Sequence, residues 1–101
     1  MKNIELKIDQ QLNQMISELK SLSYETLKDL VSSSEKINID GREFEFLSWS
    51  EPAVDKGGYI AILVETSLKH LLFSSRPRKG FVINSAGNIR DLSEDETWEY
   101  D

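Results

Sequence analysis

Ile37-Asn38-Ile39-Asp40-Gly41-Arg42-Glu43-Phe44-Glu45-Phe46 decides the fold class of this chain. Ile37 and Ile39 alternate with a polar residue, and Phe44 and Phe46 do the same beyond Arg42, the period-2 pattern of half-buried strands. Asp40-Gly41 between them is the dipeptide that a type I′ turn favours, because both central residues must take positive φ. The stretch predicts a tight β-hairpin, and with it an antiparallel sheet. Just past Phe46 the apolar positions change phase, to Leu47 and Trp49. A β-bulge near Phe46-Leu47, or burial on both faces of the strand, accounts for the change.

Downstream the strand signals continue. Glu51-Pro52 and Lys56-Gly57-Gly58 bracket a loop, and Tyr59 to Glu65 is a continuous β-prone run expected at the centre of a sheet covered on both sides. His70-Leu71-Leu72-Phe73-Ser74 reads as a further extended segment, and Arg76-Pro77-Arg78-Lys79-Gly80 as a turn. Phe81 to Asn84 and Asn88 to Leu92 form a second hairpin, closed by Ser85-Ala86-Gly87 with Gly87 at positive φ. Ser93-Glu94-Asp95-Glu96 fits a capping box, so a short C-terminal helical turn should carry Trp98 and Tyr100 back toward the body.

Upstream the period is helical. Leu12, Ile16, Leu19, Leu27 and Leu30 fall on one stripe between Asp9 and about Ser33, with Asp9 as the expected N-cap. Ser21-Leu22-Ser23 offers a break, Ser23 capping a second helix; one bent helix and two short ones both fit. Ile4, Leu6 and Ile8 alternate and read either as an N-terminal strand or as an extended lead-in. Helices first and strands afterwards define a single α+β domain over residues 1–101: an N-terminal helix or helical hairpin on an antiparallel meander of about five strands.

Composition bounds the chemistry. The 101 residues are 39% hydrophobic and 30% charged, an ordinary globular balance with enough chain for one core. Cys is absent, which excludes disulfides, thiolate metal sites and thiol nucleophiles. The single His, His70, excludes any site needing two imidazoles. The first residues lack the apolar stretch of a secretory signal, and the Tyr59–Val64 run is too short to cross a bilayer. A cytoplasmic protein without membrane attachment is the expectation. The net charge of −6 is unevenly spread. Lys69, Arg76, Arg78, Lys79 and Arg90 stand in a stretch, 66–90, that holds no acid, whereas Asp91, Glu94, Asp95, Glu96, Glu99 and Asp101 follow with no base. An acidic total repels the phosphate backbone, so nucleic acid is not the expected partner.

Candidate sites are sparse. His70 as a general base would need an orienting carboxylate and a nucleophile, and no Gly-x-Ser-x-Gly elbow is present. Glu43 and Glu45 share one strand face, which any amphipathic strand would also produce. The acidic tail lacks the spaced ligand pattern of a calcium loop, and its capping box explains most of its acids. Gly57-Gly58 precedes a strand and has no following Lys-Ser/Thr, so it is not a phosphate loop. No catalytic, cofactor or metal residue is assigned. Arg76, Arg78 and Lys79 form the one basic cluster, and Trp98 and Tyr100 are aromatics among acids; these five are the candidate partner-binding residues.

The sequence alone names no function. Two classes are carried forward. The first is a small non-enzymatic module that binds or regulates another protein, a basic one by charge complementarity, as an immunity-like or inhibitor-like acidic protein would. The second is a small-ligand binder or enzyme using a helix–sheet cleft near His70, Arg76 and Arg78. Oligomeric state is not encoded in any feature above.

Overall fold

Ile4, Ile8 and Leu12 recur every fourth residue, and in the computed structural model they form the buried stripe of α1, Lys2–Lys20. The structure describes residues 2–30, 32–54, 57–66 and 78–100. The expected strand or lead-in at Ile4-Leu6-Ile8 and the N-cap at Asp9 are thus corrected: both lie within the helix. Spacing i, i+4 satisfies either period, and Leu6 decides between them. A strand would bury it beside Ile4 and Ile8, whereas here it is 57% exposed.

α1 stops where Ser21 and Leu22 turn back to the carbonyls of Glu18 and Leu19. Ser23 then caps α2, Tyr24–Lys28, its hydroxyl accepting from the Thr26 amide at 3.2 Å. Two helices, not one bent one, follow from that cap.

The strands are β1 Ser33–Ile39, β2 Arg42–Pro52, β3 Tyr59–Thr66, β4 Arg78–Asn84 and β5 Ile89–Asp91. They form one five-stranded antiparallel sheet in the order β1-β2-β3-β4-β5. The short helix α3, Glu94–Thr97, completes the α+β fold. Asp40 and Gly41 close the first hairpin with φ of 52° and 82°, the turn that Asp-Gly encodes. β2 pairs without interruption from Arg42 to Ser48, so the phase change at Phe46-Leu47 reflects burial on both faces and not a bulge. Arg78, Lys79 and Gly80 open β4, which corrects their expected placement in a turn. His70-Leu71-Leu72-Phe73-Ser74 and Arg76 lie outside the described residues.

The sheet is covered on two sides. Ile4, Ile8 and Leu12 pack on Ile39, Phe44, Phe46 and Val64, and Leu27 of α2 packs on Ile62, Phe81 and Ile83. On the opposite face, Ala61, Leu63 and Val82 meet Tyr100, with Trp49, Tyr59 and Leu92 at the margin. That double cover is why β3 shows no alternation. Among the described residues no helix is long and apolar enough to cross a membrane.

Candidate functional site

The residue after Val64 in the apolar run of β3 is Glu65, a carboxylate near the end of a strand that is buried from Ala61 to Thr66. Such a group needs a cation, because desolvation of an unpaired charge costs several kcal/mol. Register supplies one. Glu65 stands opposite Arg78 on β4, and cross-strand partners share a face, here the one turned away from α1. Arg78 Nε and Nη2 donate to Glu65 Oε1 at 3.0 and 2.6 Å, and the two side chains are only 7% and 11% exposed.

The guanidinium also holds the C-terminal segment. Its Nη1 donates to the carbonyls of Thr97 and Tyr100, at 2.9 and 2.8 Å, the first of which also accepts from the Tyr100 amide at 3.3 Å. Its Cζ lies over two indoles, 5.3 Å from the Trp49 ring centre and 4.4 Å from that of Trp98. Tyr100, buried, reaches across the sheet so that its hydroxyl accepts from the Val54 amide at 3.0 Å. Among the described residues no buried side-chain polar atom lacks a partner.

α3 is fixed from its other end by the capping box. The Ser93 hydroxyl accepts from the Glu96 amide, and the Glu96 carboxylate accepts from the Ser93 amide at 2.8 Å. Arg90 adds a two-pronged contact to both Glu96 oxygens at 3.2 Å. Arg90 first, and the Ser93 amide second, hold the Glu96 carboxyl at about 2, well below its ordinary 4.5. The folded-state value lies below the unfolded one. The stabilising contribution is therefore complete above about pH 4.5 and disappears as pH falls through about 2. A carbon-detected NMR titration should place the Glu96 midpoint near pH 2, and amide protection over 93–100 should fall within that window. Removing the cap by Ser93→Ala should cost about 1 kcal/mol in urea denaturation.

What this clasp presents outward is Trp98. The residue is 47% exposed although the Arg78 guanidinium lies over its ring. Glu94 and Asp95 stand one helical turn before it, at the i−4 and i−3 spacings that place side chains together. Glu94, Asp95 and the adjoining Glu99 make no side-chain bond or ion pair among the described residues. Of the five residues singled out from sequence, the structure brings Arg78, Trp98 and Tyr100 together. Lys79 points to the helix side of the sheet and pairs with Asp9 of α1 at 3.0 Å. Arg76 lies outside the described residues, as does His70.

Among the described residues, the basic stretch and the acidic tail meet only in part. Arg90 pairs with Glu96, and Lys20 of α1 takes Asp91, while Arg78 spends its charge on Glu65. Lys20 and Lys79 face a groove of about 370 Å³ between α1 and β4, lined also by Asn13, Ser17 and Asp91. Both lysines are already matched by aspartates, so this helix–sheet groove carries no net charge from its ion pairs. Arg78 is not at its rim but on the other face of the sheet. Glu65 and Trp49 were missed as members of the clasp. The available signal was an acid ending an otherwise apolar run.

No protein-family model matches the chain, and no curated protein or solved structure matches it either. The geometry therefore stands alone.

Proposed function

We propose that this protein is a small non-enzymatic binding module, acting in the cytoplasm, that presents its C-terminal segment to a basic partner protein. The observation that carries the reading is Trp98: a large aromatic left half-exposed on a segment that every neighbouring contact immobilises. Exposed aromatics held in one orientation are the usual anchors of interfaces, since little conformational entropy remains to be lost on binding. Glu94, Asp95 and Glu99 around it supply a negative field without internal partners, which favours encounter with a positive surface. An inhibitor or antidote to a basic protein fits that chemistry.

The experiment is affinity capture of the tagged protein from its native cells, run beside a Trp98→Phe, Glu94→Lys, Glu99→Lys variant. Phenylalanine retains an aromatic face for Arg78, and neither acid bonds to another side chain, so the fold should survive. A basic protein held by the wild type, released by moderate salt, and bound ten- to thirtyfold more weakly by the variant would support the reading. Equal capture by both proteins, or nothing above the tag control, would overturn it.

A further inference from the structure

The sheet has a second unused feature, far from Trp98. β1 is the last strand on its side, and it is seven residues long. The two-residue Asp40-Gly41 loop makes Ile39 and Arg42 the closing hydrogen-bonded pair. Antiparallel pairs alternate, so Ile37 with Phe44 and Glu35 with Phe46 are hydrogen-bonded as well. The N–H and C=O groups of Ser34, Lys36 and Asn38 are then directed away from β2, along the open edge.

Beside that edge, on the helix face, lies a groove of about 390 Å³ between the last turns of α1 and the start of β1. Its apolar wall is Met15, Leu19 and Leu22, the last 40% exposed. Two carboxylates, Glu18 and Glu35, flank that wall. Glu18 accepts a hydrogen bond from Gln14, and neither glutamate has a cationic partner among the described residues. An apolar trough ending in unpaired carboxylates matches one kind of side chain, an aliphatic stem carrying a positive head.

We propose that the β1 edge accepts an extended segment of a partner protein as a sixth strand, with an arginine or lysine of that segment lying in the Met15–Leu22 groove against Glu18 and Glu35. The face rule makes the requirement specific. A residue added opposite Glu35 projects to the helix side and should be basic, whereas its neighbour opposite Lys36 projects to the outer face and should be acidic or polar. A second copy of this chain fits less well. Twofold pairing centred on Glu35 or Lys36 would set like charges against each other, which is unfavourable. The proposal shares with the C-terminal reading only the expectation of positive charge on a partner, and it uses no residue of that surface.

The test is an amide NMR titration with the peptide acetyl-Thr-Val-Glu-Arg-Thr-Val-amide, which puts Arg opposite Glu35 and Glu opposite Lys36 when it pairs antiparallel. The control exchanges Glu and Arg, keeping composition and net charge. Shifts concentrated at the Ser34, Lys36 and Asn38 amides, with at least tenfold weaker binding of the control, are expected. Glu35→Lys should abolish the preference. Equal binding of the two peptides would overturn the proposal, as would shifts confined to residues 93–100 or no shifts at the edge. Concentration-dependent protection of the edge amides without peptide would assign the edge to a second copy and also overturn it.

Discussion

Arg78→Ala should lower stability by about 3–5 kcal/mol, a large part of what holds a domain of this size together. Three losses coincide. Glu65 would remain buried without its cation, the Tyr100 carbonyl would lose its donor and the Thr97 carbonyl the stronger of its two, and the indoles of Trp49 and Trp98 would lose the guanidinium over their rings. The first is the heaviest, because an unpaired buried charge costs more than a missing attraction. A double replacement isolates it. Arg78→Met with Glu65→Leu removes both charges and should be less destabilising than Arg78→Ala alone. Urea denaturation followed by tryptophan fluorescence measures both, and the two indoles report the site directly. If the single variant lost less than about 1 kcal/mol, the ion pair would not be what holds the C-terminal segment in place.

This clasp marks the limit of what the sequence makes legible. The hairpin at 37–46 was readable because its determinants are local: alternation, and a turn dipeptide whose φ angles few other pairs accept. Ser23 and Ser93 were readable for the same reason, since a cap lies within three residues of the amide it satisfies. The start of α1 was not, because Ile4, Leu6 and Ile8 satisfy a strand, and only the exposure of Leu6 breaks the tie. Nor was the start of β4, where Pro77 and three cations look like a solvated turn. Arg78 was singled out as a surface residue because arginine is rarely buried. Its partners come from three places distant in sequence, at Trp49, Glu65 and the segment 97–100, and only the tertiary fold brings them together. The candidate site is thus half legible. Exposed acids and an aromatic can be seen in the tail, but the reason they hold one orientation is tertiary.

Gly80 tests the same outer face by packing instead of charge, and Gly80→Ala should cost about 3 kcal/mol. Gly80 sits opposite Leu63 in β4, at an ordinary negative-φ strand position, so its backbone would tolerate any residue. Space is what forbids one. A Cβ there would stand 2.7 Å from the Ile62 carbonyl oxygen, with Leu63 Cδ2 at 3.1 Å and Leu92 Cδ1 at 3.2 Å. The leucine methyls can turn aside, but a carbonyl in the central strand cannot move without spreading the β3–β4 pair. The same shift would strain the Leu92 amide bond to the Gly80 carbonyl, now 3.0 Å, on which the approach to Ser93 and α3 depends. Overpacking of this kind usually costs 1–3 kcal/mol, and a backbone obstacle puts it at the top of that range. Gly57→Ala is the matched control: beyond its chain neighbours no described atom lies within 4 Å of its Cβ and its φ is not positive, so the change should stay within about 0.5 kcal/mol. Equal urea midpoints for the two variants would show that β3 and β4 can part at no cost. The outer face would then be too compliant to hold Trp98 in a single orientation, and the binding surface would lose its rigid base.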